Sequence, residues 1–213
     1  MNQEYIIEVS NVKKYFRETK ALDDVSISFE RGKIHGIIGR NGSGKTVLLK
    51  CICGLTPVTS GAVLVDGKRV GKDVEIPKNI GALIEHPGFI REYSGLANLK
   101  FLAGLTGKID TEKLSELMES VELDPKSRKK VSRYSLGMQQ RLGIAQAIMD
   151  DPDILILDEP TNGLDNRGVG WFREMLLKKK EEGKTVLIAS HNSADIELLC
   201  DTVCEMDAGK ILH

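Results

Sequence analysis

Residues 34–46 read IHGIIGRNGSGKT. The first five, IHGII, are almost continuously apolar, as in a parallel strand buried on both faces. The next eight, GRNGSGKT, match G-x-x-x-x-G-K-[S/T], and a helix is predicted directly after, over Lys45–Cys53. The glycines let the backbone curl until several N–H groups face one point, which is a cradle for phosphate. Gly39, Arg40, Asn41, Gly42, Ser43, Gly44, Lys45, Thr46 and Val47 are therefore the first candidate binding residues. Lys45 is placed to reach phosphate oxygens, and the Thr46 hydroxyl to take a Mg²⁺ position.

Outward from this stretch the same alternation repeats. ILIL (154–157) and TVLIA (185–189) are further buried strands, with GAVLV (61–65) and IGALI (80–84) as shorter candidates. Helical periodicity covers Leu142–Met149 and Gly168–Glu182, and Gly183 supplies a stop. Strand–helix–strand alternation argues for an α/β fold with a mainly parallel sheet flanked by helices. YIIEVSNV (5–12) and DVSISFE (24–30) form an N-terminal β portion. In the second, Val25, Ile27 and Phe29 alternate with polar residues, the period of a half-buried strand. From about Ser94 to Val121 the pattern is helical, and no buried strand is expected between Ile84 and Ile154. The expected organisation is one domain over 1–213: an α/β core from 1–88 and 138–213, and a helical insertion over 89–137. The basic run KSRKKVSR (126–133) reads as a solvated linker between the two.

The chain has 213 residues, enough for a sizeable core, and 29% of them are charged with a net charge of −1. That balance gives no support for a sequence-independent grip on nucleic acid, and none is expected as a partner. No apolar run approaches the roughly 20 residues that span a bilayer. MNQEYIIEVSNVKK has no apolar signal core, so a cytoplasmic location is expected. Cys51, Cys53, Cys200 and Cys204 lack zinc spacing and read as buried thiols in a reducing compartment.

Two further signals carry chemistry. ILILDEP (154–160) delivers Asp158 and Glu159 at a strand's C-terminal end, where open α/β sheets bind ligands. Asp158 is placed to orient Mg²⁺ or its waters, which leaves Glu159 as a base for a water in line with the terminal phosphorus. His191 follows TVLIAS at the matching end of another strand, within reach of the same phosphoryl group. His35, inside a strand, and His86, in a loop, are assigned no chemistry. The second signal is YSLGMQQR (134–141), a Ser and a Gly ahead of a helix, which is a second anion site.

GRNGSGKT, YSLGM, ILILDEP, NGLD (162–165) and SH (190–191) together resemble an ATP-binding subunit of the ABC transporters, a P-loop NTPase, over essentially the whole chain. The resemblance implies an ATPase using ATP and Mg²⁺. It implies a homodimer in the ATP-bound state, with two nucleotides sandwiched head to tail. Ser135 and the Gly137 amide would then hold the partner's γ-phosphate, Asp165 would link the two sites, and Tyr15 would stack on adenine. It also implies a separate transmembrane permease, to which this chain attaches at the inner face of the membrane.

Two departures stand out against the family's usual LSGGQ and its usual Gln after the strand IGALI (80–84). Leu136 and Met138 replace a glycine and a glutamine, and Glu85, in IEHPGF, occupies the metal-facing Gln position. Both together resemble the bacitracin and lantibiotic-immunity branch of exporters. Among other classes, a chromosome-maintenance ATPase would need a long coiled-coil insertion, and only about fifty residues separate Glu85 from Ser135. A translation factor of this type would carry two cassettes. A non-hydrolysing module would have no use for Glu159 and His191.

Overall fold

The computed structural model describes residues 4–85, 87–105, 107, 109–191, 196 and 198–212. Two sheets are present. β1 (Tyr5–Phe16), β2 (Thr19–Glu30), β4 (Ser60–Val65) and β5 (Lys68–Arg69) form an antiparallel sheet in the order β2-β1-β4-β5. The second runs β10-β9-β3-β8-β7-β6 and is parallel except for the β9–β10 hairpin. Its strands are β3 (Ile34–Ile38), β6 (Ile80–Leu83), β7 (Ile154–Asp158), β8 (Thr185–Ser190), β9 (Thr202–Asp207) and β10 (Lys210–Ile211). The helices are α1 (Lys45–Ile52), α2 (Gly95–Leu105), α3 (Thr111–Ser120), α4 (Leu136–Ile148) and α5 (Asn166–Glu181).

The central strands are apolar along most of their length because each face meets a different core. In β7, Ile154 and Ile156 enter the core shared with α1 and the antiparallel sheet. Leu155 and Leu157, pointing the other way, join Phe172 and Leu176 of α5. In β8, Leu187 and Ala189 take the first side, and Val186 and Ile188 the second. A third core holds Leu99, Leu114, Met118, Val131 and Tyr134 against Leu142 and Ala145 of α4. Ile144 and Ala147 of the same helix face the sheet core, so α4 ties the helical segment to the sheet.

Several boundaries differ from the sequence reading. α4 begins at Leu136, six residues before the predicted start, with Ser135 as its N-cap. Its first turn, LGMQQR, carries little apolar periodicity, so the cap and not the pattern marks the start. The expected division at residue 138 falls inside this turn. β1 and β2 extend into a hairpin whose tip is charged and exposed, and β9 and β10 were not anticipated. The basic run is a tethered segment: the N–H groups of Val131 and Ser132 donate to the carbonyls of Tyr93 and Arg91. His86 lies outside the described residues. Among the described residues no helix is long and apolar enough to cross a membrane.

Candidate functional site

The C-terminal ends of β3, β7 and β8, neighbours in the parallel sheet, converge on the loop 39–44. Gly44, the N-cap of α1, has φ 108°. A Cβ there would meet the Ala21 carbonyl at 2.8 Å, so both conformation and space require glycine. Lys45 is only 5% exposed. Its Nζ donates to the carbonyls of Gly39 at 2.6 Å and Arg40 at 3.2 Å, which holds the cation inside the loop. Gly42, Ser43, Gly44, Lys45, Thr46 and Val47 line a cleft of about 250 Å³, together with Asn41 and Glu159. Thr19, Lys20 and Ala21 of β2 complete its wall, and sequence reading missed them because the hairpin that places them was not foreseen.

Beside this cleft, Thr46 Oγ1 donates to Asp158 Oδ2 at 2.7 Å. Burial pushes the Asp158 carboxyl above its ordinary range; the Thr46 hydroxyl opposes this, and the Glu159 and Glu85 charges add to it. The other oxygen, Asp158 Oδ1, is buried without a hydrogen-bond partner, as are Glu159 Oε1 and Ser43 Oγ. Unpaired buried oxygens are costly, and here they cluster where a hydroxyl and a carboxylate form a hard-oxygen donor set that suits Mg²⁺. Among the described residues no group of three or more His, Cys, Asp or Glu gathers to hold a metal alone. A cation here would share its shell with phosphate oxygens and water, as Mg²⁺ does.

Glu159 stands at the centre of a network. Its Oε2 lies 2.8 Å from His191 Nδ1 and accepts from the Ser190 hydroxyl at 3.4 Å, while Oε1 is 3.9 Å from Lys45 Nζ. Its backbone is left-handed, φ 49°, which costs a non-glycine residue about 1 kcal/mol or more. Partners on three sides hold that geometry. Its N–H donates to the Ala189 carbonyl at 2.8 Å, and its carbonyl accepts from Asn162 N–H and Gln140 Nε2, both at 3.2 Å. Gln140, which also donates to the Pro160 carbonyl at 2.9 Å, escaped the sequence reading. Its only signal was a polar residue on the buried face of α4.

Other expected residues stand apart. Ser135 caps α4, its Oγ accepting from Met138 N–H at 3.2 Å, and nothing from 134–141 lines the 250 Å³ cleft. Asp165 caps α5, accepting from Gly168 N–H at 2.8 Å. Tyr15 is 38% exposed, on the hairpin whose second strand walls the cleft. Glu85 has φ 56° and pairs with Lys50 Nζ at 2.7 Å on the exposed side of α1. A separate cleft of about 690 Å³, lined by residues between Cys51 and Glu75, contains none of the phosphate-loop or carboxylate residues.

Comparison with known proteins places this geometry. The ABC transporter family profile matches residues 22–162. The chain is similar to YybJ of Bacillus subtilis (strain 168), an uncharacterised ABC transporter ATP-binding protein, with 42% identity over 97% of this chain and 94% of that one. It is 40% identical to the bacitracin transport ATP-binding protein BcrA of Enterococcus faecalis, over 100% of this chain and 70% of that one. With the lantibiotic transport ATP-binding protein SrtF of Streptococcus pyogenes it shares 35% identity, over 97% and 89%. Among solved structures, the dimeric bacterial ABC transporter cassette MJ0796 superposes with a TM-score of 0.88 at 25% identity, covering 97% of each chain. A phosphate-cradling loop, a carboxylate pair at a strand end and relatives of this kind lead to one assignment: the chain belongs to the ABC transporter family, as an ATP-binding subunit that hydrolyses ATP.

Proposed function

We propose that two copies of this chain close on two Mg·ATP and drive a separate membrane permease that exports a peptide antibiotic of the bacitracin or lantibiotic kind. The observation that carries the hydrolytic part is the Glu159 network: one carboxylate oxygen tied to His191, the other buried without a hydrogen-bond partner and 3.9 Å from Lys45 Nζ. Glu159 accepts the proton of the attacking water, with Ser190 and the backbone holding its side chain in place. Lys45 turns from the Gly39 and Arg40 carbonyls to the β- and γ-oxygens, and His191 steadies the γ-phosphoryl. Thr46 and Asp158, with Glu85 nearby, would hold Mg²⁺, whose charge would offset that of the phosphate oxygens. Tyr15 lies against the adenine.

The dimer is supported by the separation of the two anion sites. Ser135 and the amides of the first turn of α4, including Gly137, face no part of the chain's own nucleotide cleft, so they serve a neighbour's ATP. Asp165 lies on the same surface and connects the two sites. The helical segment, roughly 89–137, receives the permease and transmits closure as a rigid-body motion at the inner face of the membrane. The export reading rests on the bacitracin and lantibiotic transport relatives. Phosphate release tests the hydrolytic part. Wild type should turn over Mg·ATP, and Glu159→Gln should lose about 10²–10³-fold in kcat while still binding nucleotide. Equal turnover in the two proteins would overturn the assignment. Expression with its permease should raise resistance to bacitracin or a lantibiotic, and no change across that panel would refute the cargo class.

A further inference from the structure

Leu136, which stands where the family usually has a glycine, rests on Gly163, the second residue of NGLD. A Cβ built on Gly163 would lie 2.6 Å from Leu136 Cγ, 2.7 Å from its Cδ2 and 3.2 Å from its Cβ. Real side chains do not approach so closely, so the Leu136 side chain occupies the space a side chain at 163 needs. The contact is reciprocal: a Cβ on Gly137 would stand 2.7 Å from the Gly163 carbonyl oxygen. Leu136 is 53% exposed, so general core packing does not account for its apolar side chain. Gly163 has φ 80°, and it sits in a tight turn that runs on from Glu159. Asn162 N–H donates to the Glu159 carbonyl at 3.2 Å, and Leu164 N–H to Thr161 at 3.1 Å.

One helical turn along, on the same face of α4, Gln140 Nε2 donates to the carbonyls of Glu159 and Pro160. The start of α4 therefore meets the 159–165 turn at Leu136 and Gly137, and again four residues after Leu136 through Gln140. The first contact sets the turn's tip and the second sets its root. Ser135, the cap of α4, immediately precedes Leu136, and Asp165, the cap of α5, follows Gly163 by two residues.

We infer that Leu136 and Gly163 are a matched positioning pair, fixing where Ser135 stands relative to the turn that carries Glu159 and Asp165. Neither is a catalytic residue; each acts through the segment it holds. The consequence for turnover rests on the shared-nucleotide reading above, whereas the pairing itself does not. Glycine is required at 163 because Leu136 fills the adjoining space, in addition to the demand of its positive φ.

A double-mutant cycle separates these demands. Leu136→Ala removes the two atoms that lie at 2.6 and 2.7 Å and keeps the Cβ. Gly163→Asn adds a side chain that tolerates left-handed backbone, and Gly163→Ala adds one that does not. For each single variant at 163, kcat for phosphate release should fall about tenfold, roughly 1.4 kcal/mol in barrier, with binding of a fluorescent ATP analogue to the isolated chain within about twofold of wild type. Adding Leu136→Ala should return Gly163→Asn to within about threefold of the kcat of Leu136→Ala alone. A fully active Gly163→Asn, or one that Leu136→Ala leaves as slow as before, would overturn the pair and leave only the φ requirement. If wild type shows no Glu159-dependent turnover, the functional reading fails instead. The pair is then judged by thermal unfolding of the same four proteins, where coupling between the sites supports it and strict additivity refutes it.

Discussion

Asp158 and Glu159 are adjacent in the chain yet placed in opposite electrostatic situations, and their variants should separate accordingly. Glu159 is tied to His191 and Ser190, and on the proposed function its loss would be a loss of chemistry. Asp158 is buried, and one of its oxygens has no hydrogen-bond partner. Because its folded pKa is raised, the protonated form is the one the fold favours. Stability from this group is thus full below the ordinary Asp range and declines as pH rises through the raised value. Asp158→Asn removes that decline. Its melting temperature at neutral pH without nucleotide should equal or exceed wild type, while the added stabilisation from Mg²⁺ with ATP should disappear. Differential scanning calorimetry with and without the ligand pair checks both halves. Glu85 differs again: its pairing with Lys50 is exposed and worth about 1 kcal/mol at most. Glu85→Gln should therefore keep nucleotide affinity within a few-fold and retain turnover. Loss of ATP binding on that single change would show that Glu85 does not stand where a neutral amide serves.

The elements that place these residues depend on close approach between sheet and helix. β6 and α4 meet at Gly81, where a Cβ would lie 1.8 Å from the Ala147 carbonyl oxygen and 2.7 Å from Pro152 Cγ. Neither backbone yields cheaply, so Gly81→Ala should destabilise by about 3 kcal/mol, the upper part of the overpacking range. Urea unfolding at equilibrium measures it, and a cost below about 1 kcal/mol would show that β6 moves freely against α4. Legibility in the sequence follows the same physics. β3, β7 and β8 were readable because strands covered on both faces are apolar along most of their length, and GRNGSGKT because its glycines serve backbone geometry no other residue supplies. The β1–β2 hairpin tip was not, since Lys13–Lys20 is mostly exposed and its pairing is set by register with distant strands. β9 shows only weak alternation, with Cys204 and Met206 as its inward residues. The helix α4 was found but misplaced at its start, because Leu136 answers to the 159–165 turn and to solvent, and Met138 only borders the helical core. Gln140 was invisible for a related reason: its partners are two carbonyls twenty residues away, and nothing local announces them.

At the scale of the whole molecule the arrangement looks incomplete as a single copy. The phosphate loop, Asp158, Glu159 and His191 gather at one set of strand ends, while Ser135 caps a helix whose N-terminus contributes nothing to that cleft. An ATP bound by the first group leaves its γ-phosphate open to a second surface of the kind Ser135 presents. On the proposed function, two copies related head to tail would supply it twice, and nucleotide would be the adhesive of the pair and hydrolysis the release. The most direct test is a structure of Glu159→Gln with Mg·ATP at high protein concentration. It should show Ser135 Oγ and the Gly137 amide of one copy within hydrogen-bond distance of a γ-phosphate held by Lys45 of the other. Two-copy contacts that leave Ser135 remote from every terminal phosphate, there and in the assembled transporter, would contradict the account.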